Sequence, residues 1–357
     1  MKRLLLGALL VVAVVGAGVY AFRTTLTLRL MSRLLAANFA SDLMQELPDG
    51  LHVALCGAGS PLPDPDRSGP CTAVVAGRQL FVVDSGAGSS RVLARMRLPQ
   101  GKIDAIFLTH FHSDHIDGLG ELLMQRWVNG THETPTPIHG PTGVESVVTG
   151  LNEAYRQDAA YRTAHHGEET VPSGGEGAVA VPFPTPPGGH GEVLIDDAGV
   201  KVTAFLVDHA PVAPAVGYRV DYAGRSLVIS GDTVKSANLE AFAKGADLLI
   251  HEALSPKRVN ALPEVARTAG RDNLGKITPD ILDYHASPVD AAESAQTAGV
   301  DHLLDYHVVP PLIIPTMTGI FLEGTSDAFD GAITLGQDGT MILMEANGDG
   351  IEVEELL

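Results

Sequence analysis

The sequence predicts a globular α/β protein, on three observations. Apolar residues make up 45% of the 357-residue chain and aromatic residues only 5%, with Ala, Val, Leu and Gly supplying the bulk. Short apolar runs of strand length alternate with helix-length segments in both halves of the chain. Apolar strands end, one after another, in a polar residue able to bind metal or assist catalysis, and strand ends along one sheet edge converge. The length suits one large domain or two small ones.

The chain opens with a basic region, Met1-Lys2-Arg3, followed by the uncharged run Leu4–Phe22. This reads as an export signal or a signal anchor, near the roughly 20 residues that span a bilayer. Gly16-Ala17-Gly18 is a run of small residues but no clean cleavage site, so cleavage and retention both stay open. Residues 1–23 are therefore expected to be a signal peptide or N-terminal membrane anchor, 24–48 a helical linker and 49–357 the main domain. The expected location is periplasmic or otherwise extracytoplasmic, with the protein either exported or anchored to the inner membrane. Export is compatible with a Cys56–Cys71 disulfide, which spacing alone does not decide. With no other cysteine and no CxxC, these two make no zinc site. The net charge of −19 argues against a long polyanion as partner.

From Leu51 the elements run in order. Leu51–Cys56 is a strand ending in a Gly-Ala-Gly turn. Cys71–Ala76 and Gln79–Val83 make a hairpin, and Asp84 after it suits a turn cap and a histidine-orienting carboxylate equally well. A helix over Ser89–Met96 leads to the strand Ile103–Leu108. That strand runs into Thr109-His110-Phe111-His112-Ser113-Asp114-His115, and a helix over Ile116–Val128 follows. Three histidines and an aspartate on a strand-to-helix turn are a donor set for zinc and similar divalent ions. His110 and His112 alternate onto one side of an extended segment and can grip one ion together. Asp114 and His115 can reach a second. His139, His165 and His166 are read as surface or rim residues, and the Gly- and Pro-rich stretch 171–191 as a loop or flap. Strand Val200–Val207 ends in Asp208-His209. The hairpin Val216–Val220 and Ser226–Ser230, turning at Tyr222-Ala223-Gly224, ends in Gly231-Asp232-Thr233. Asp247–Ile250 ends in His251-Glu252, and Asp301–Tyr306 in His307.

Taken in order, His110-Phe111-His112-Ser113-Asp114-His115, His209, Gly231-Asp232-Thr233, His251-Glu252-Ala253, His285-Ala286-Ser287 and His307 resemble the metallo-β-lactamase superfamily. The nearest branch is the ribonuclease Z and arylsulfatase-like one. The resemblance spans about residues 50 to 350 and implies a four-layer αββα sandwich with a two-metal site along one edge. It implies two Zn2+ ions per subunit, with other divalent metals compatible. His110, His112 and His209 would hold the first ion, Asp114, His115 and His307 the second, and Asp232 both. The implied catalytic residues are Asp114, His285 as proton donor to the leaving oxygen, and Glu252 holding the His285 tautomer.

One departure shapes the functional expectation. Ribonuclease Z proper carries a long tRNA-gripping arm between the positions matching His209 and Asp232, where this chain has a single short hairpin. With the acidic charge and the N-terminal segment, this leads to an expected dinuclear zinc hydrolase of the cell envelope. It would cleave phosphodiester or sulfate esters by a metal-bound hydroxide. The expected substrate is a small anionic ester rather than nucleic acid, the membrane is met through the N-terminal segment, and a homodimer stays open. The alternatives are β-lactam or lactone ring hydrolysis, a ribonuclease Z-type tRNA 3′ endonuclease, and a non-catalytic metal-binding protein.

Overall fold

A computed structural model describes residues 2–357; Met1, the first residue of the N-terminal segment, lies outside them. Lys2–Ala40 form one continuous helix, unbroken across position 23. Its window Leu5–Ala36 is long and apolar enough to cross a membrane, and none of that window is buried against the protein.

The domain beyond it is built on two sheets. β1 (Leu51–Gly57), β2 (Cys71–Ala76), β3 (Gln79–Val83), β4 (Ile103–Phe107), β5 (Thr136–Pro141) and β6 (Ala178–Phe183) lie side by side in that order. β7 (Gly191–Asp197), β8 (Val200–Leu206), β9 (Val216–Tyr222), β10 (Arg225–Ile229), β11 (Leu248–Leu254), β12 (His302–Val309) and β13 (Ala332–Leu335) form the second sheet. β14 (Thr340–Leu343) and β15 (Glu352–Glu355) return to the first sheet beside β1. The inner faces meet in one core, with Leu51, Leu55, Phe81, Phe107, Tyr218, Ile250 and Leu304 fully buried. Separate apolar layers sit under the helices on each outer face. This is the αββα sandwich the sequence implied, and its period-2 strands bury both faces because each sheet is covered on both sides.

Both sheets contain runs of parallel strands, β3-β4-β5-β6 and β10-β11-β12-β13, whose C-terminal ends open onto the same edge. Two local devices shape that edge. Between Glu252 and Ala253 of β11 the partner strand carries an extra residue, His307, at φ 47°. Such a bulge re-aims one side chain out of the ladder. Gly231, at φ 62°, ends β10 where a Cβ would lie 2.8 Å from the Val216 carbonyl oxygen, so only glycine fits.

Within the domain, too, the structure departs from the sequence reading. The 171–191 stretch is not all loop: Ala178–Phe183 pair in parallel with β5 as an edge strand, where Pro182 is tolerated. The helix expected over 116–128 is two helices, Ser113–Ile116 and Leu119–Gly130, broken at Gly118, whose backbone passes tightly over Ser85 and Gly86. The two cysteines are joined as a Cys56–Cys71 disulfide.

Candidate metal centre

The segment after β4 is held from both sides before it reaches the histidines. Tyr218 of β9 crosses the core and donates its hydroxyl to the Leu108 carbonyl at 2.5 Å, and the Val216 amide donates to Thr109 O at 3.0 Å. The Thr109 amide and hydroxyl donate to the two Asp84 oxygens at 2.9 and 2.7 Å. His110 is then fully buried, His112 is partly exposed, and Asp114 and His115 ride on the short helix that starts at Ser113.

Side chains from three further strand ends, those of β8, β10 and β12, meet them. Ligand atoms of His110, His112, His209 and Asp232 lie within 4.8 Å of one another, as do those of Asp114, His115 and His307. Asp232 stands between the groups: its Oδ2 is 3.4 Å from His115 Nε2, 3.5 Å from His307 Nε2, 3.8 Å from His110 Nε2 and 3.9 Å from His209 Nε2. Among the described residues, His115 Nε2, His209 Nε2 and Asp232 Oδ1 are buried without a hydrogen-bond partner. Unpaired buried polar atoms are costly. One such atom in each donor group and one on the aspartate between them fit bound cations, and nitrogen with carboxylate oxygen is the donor chemistry of zinc-like ions.

Outer partners fix the ring orientations. Asp84 Oδ2 lies 2.8 Å from His115 Nδ1, the Tyr284 carbonyl 2.8 Å from His209 Nδ1, and Thr109 Oγ1 3.0 Å from His110 Nδ1. In each case the far nitrogen is left to face the cluster, the usual arrangement at metal-binding imidazoles. Burial first, then the imidazole of His115, holds His110 well below the ordinary histidine range, in the neutral ligating form. Burial works against ionised Asp232, but the surrounding histidines, His307 first, outweigh it and hold its carboxyl well below the usual range.

His285 lies beside this cluster, its ligand atom within 4.8 Å of those of Asp232 and His307. Its Nδ1 is 2.9 Å from Glu252 Oε1, which also accepts from the Thr233 and Ala286 amides at 3.2 Å each. Burial disfavours the charged ring, yet the Glu252 carboxylate more than offsets this and raises its pKa to about 9. A cationic imidazole with Nδ1 engaged can give its proton only from Nε2.

The structure thus brings every sequence-nominated ligand and both proton-handling residues to one place. It leaves out His139, which stacks on Phe107 at 4.9 Å, and the exposed His165 and His166 at the end of the Val144–His166 helix. Leu274, Ile277 and Thr278 line the cleft beside the centre, as do Pro61 and Leu62, whereas the 171–191 stretch lines none of it. Thr109, Tyr284 and this Pro-Leu wall were missed, because a hydroxyl, a backbone carbonyl and a loop tip carry no signal in sequence until the chain is folded.

The profile of the Metallo-beta-lactamase superfamily matches residues 64–295. A ribonuclease Z of Mycobacterium sp. (strain KMS) is 38% identical over 289 residues, covering 81% of this chain and 94% of the relative. A ribonuclease Z of Mycobacterium avium (strain 104) is 40% identical over 265 residues, 74% and 88% respectively. The crystal structure of the short form of human tRNase Z shares the fold at a TM-score of 0.59 and 22% identity, covering 82% of this chain and 98% of the other. These relatives overturn two expectations. A cell-envelope phosphodiesterase or sulfatase is not what they are, and their names point to RNA where a small anionic ester had been expected and nucleic acid set aside. The earlier inference failed because total charge and the length of one hairpin are coarse quantities. Neither reports the surface around the cleft, and a −19 chain can still present a local anion-binding centre of metal ions.

Proposed function

Since the chain belongs to the metallo-beta-lactamase superfamily, we propose that this hydrolase is a ribonuclease of the ribonuclease Z type, cleaving a phosphodiester bond near the 3′ end of transfer-RNA precursors. The observation that carries the reading is the 38% identity to a ribonuclease Z along 94% of that protein, in a chain whose donor set is intact. His110, His112 and His209 would hold one ion, Asp114, His115 and His307 a second, and Asp232 both. Zinc is the ion this nitrogen and oxygen set suits best. Ions bound there supply Lewis acidity and acidify water at neutral pH. The chain's own residues do the rest. Asp114, turned to the cleft, can accept a proton from the attacking water and orient it. His285 gives a proton to the leaving oxygen, and Glu252 keeps its Nδ1 occupied so that Nε2 faces the substrate. A 3′-extended precursor tRNA incubated with zinc-loaded protein should be cut once, with loss of cutting on chelation and recovery on re-addition of metal. An intact precursor, under conditions where bis(p-nitrophenyl) phosphate is hydrolysed, would sink the RNA reading.

We also propose that the Lys2–Ala40 helix anchors the chain at the membrane, a reading the apolar 5–36 window supports. The transfer-RNA reading needs the domain on the cytoplasmic side, whereas the Cys56–Cys71 disulfide favours an oxidising surrounding. Protease added to intact spheroplasts decides between the two: protection until lysis keeps the domain with precursor tRNA, and digestion would place it outside the cell and remove precursor tRNA as its substrate.

A further inference from the structure

The metal cluster forms one end of a cleft of about 350 Å³. The other end is apolar: Leu62, Leu274, Ile277, Ile281 and Val309 line it. Leu274 and Ile277 sit on the helix Asp272–Asp280 and are 37% and 54% exposed. That helix packs on the helix Leu262–Thr268, and the pair joins the body through the neighbouring turns Pro256–Val259 and Ile281–Asp283. The hairpin buries Ala266 and Thr278, not its larger aliphatic side chains. Leu274 and Ile277 line the cleft together with Leu62 of the loop closed by the Cys56–Cys71 disulfide, and Leu62 packs in one apolar cluster with Ile281 and Val309.

We propose that this wall seats the nucleobase next to the scissile phosphate. The inference rests on the RNA phosphodiester reading above and names the part of the substrate that the metal end does not hold. The wall is continuous with the metal centre, so an ester held at the ions places its attached group there. No side chain of the wall carries a charge, so it offers nothing to a neighbouring phosphate. A continuous aliphatic surface beside the ester-holding end instead suits a flat group with apolar faces, which a nucleobase is. Thr278 Oγ1, on the same helix, already donates to the Leu274 carbonyl at 3.0 Å, and the Tyr284 ring lies at the metal end of the cleft, beside His209 and His285. The aliphatic wall itself therefore holds a base by its faces and does not read its hydrogen-bonding edge.

Four p-nitrophenyl phosphodiesters with a common leaving group test this on the metal-loaded full chain: the 5′-linked and the 3′-linked thymidine esters, the methyl ester and the hexyl ester. At least one thymidine ester should exceed the methyl ester in kcat/KM, chiefly through a lower KM. Leu274→Ser combined with Ile277→Ser should cut that advantage about tenfold, the scale expected when two partly exposed aliphatic side chains lose contact with a ligand. Leu62→Ala on the disulfide-closed loop should act in the same direction, with zinc content retained in both variants. An undiminished advantage in both variants overturns the proposal, and so does a hexyl ester that gains as much as thymidine. The two readings fail separately. A wild-type enzyme that prefers the thymidine ester, loses the preference in the variants and leaves precursor tRNA intact keeps this wall and loses the RNA assignment.

Discussion

Asp84 shows how much of the centre depends on residues that touch no ion. Its two oxygens take the Thr109 amide, the Thr109 hydroxyl and His115 Nδ1, so one carboxylate both caps the turn after β3 and orients an imidazole. In sequence these were two competing readings of one residue; folding assigns it both. Asp84→Asn should keep the fold and lower metal affinity by about 10- to 100-fold, the usual cost of losing an outer partner of a ligand. Metal titration of the purified variant checks this, and wild-type affinity would remove Asp84 from the centre. The Glu252–His285 pair makes a second, kinetic prediction. His285→Ala should slow esters with poor leaving groups far more than p-nitrophenyl esters, while metal stays bound. Equal slowing of both would count against proton donation. The pH dependence has a definite sign. The ring donates only while protonated, so the rate on poor leaving groups should fall as pH rises through its pKa, which stands at about 9 without metal. Nearby cations push that value down, so the break in the rate profile should lie at or below about pH 9.

At the scale of elements, what was legible followed from burial. β1 to β5 and β8 to β12 are apolar runs bounded by turn residues, and their ends carry the donors, so both fold and centre could be read from them. β6 hid in a Gly- and Pro-rich stretch because an edge strand needs only one partner. β15, with its residues all exposed, has no apolar signature at all. The bulge that turns His307 toward Asp114 and Asp232 is a register event between two strands, invisible in either alone. The same limit applied to the wall of the cleft, which is assembled from a loop near residue 62 and a hairpin some two hundred residues later in the chain. The disulfide bears on that loop. Cys56 and Cys71, 15 residues apart, tie the end of β1 to the start of β2 around it. A cross-link closing a loop of that size limits the unfolded chain by about 3 kcal/mol in the chain-entropy account. Cys71→Ser should therefore lower the urea midpoint by a corresponding amount in a metal-saturated sample. An unchanged midpoint would mean the bridge contributes nothing to stability, leaving hydrogen bonds such as Gly59 N to Ser68 O to hold the loop.

At the scale of the whole molecule, the chain divides by where its apolar surface goes. In the domain it is turned inward, into the core between the sheets and the layers beneath the helices. In the N-terminal helix it is turned outward: Leu5, Leu9, Val12, Val15, Tyr20 and Phe22 are all more than half exposed. A continuous helix of 39 residues is about 58 Å long at 1.5 Å per residue, well beyond the roughly 30 Å of a bilayer interior. With its first half across a bilayer, its second half, with Leu26, Leu30, Met31 and Leu34 also exposed and Arg23, Arg29 and Arg33 among them, would lie at the membrane surface. A helix whose apolar side chains do not pack on the domain adds little to the domain's stability. Residues 41–357 expressed alone should therefore fold, bind metal and hydrolyse bis(p-nitrophenyl) phosphate at the rate of the full chain. They should also remain in the supernatant when membranes are sedimented, where the full chain pellets. A truncated domain that misfolds would show that the helix packs on it after all, and one that still pellets would move membrane contact from the helix to the domain surface.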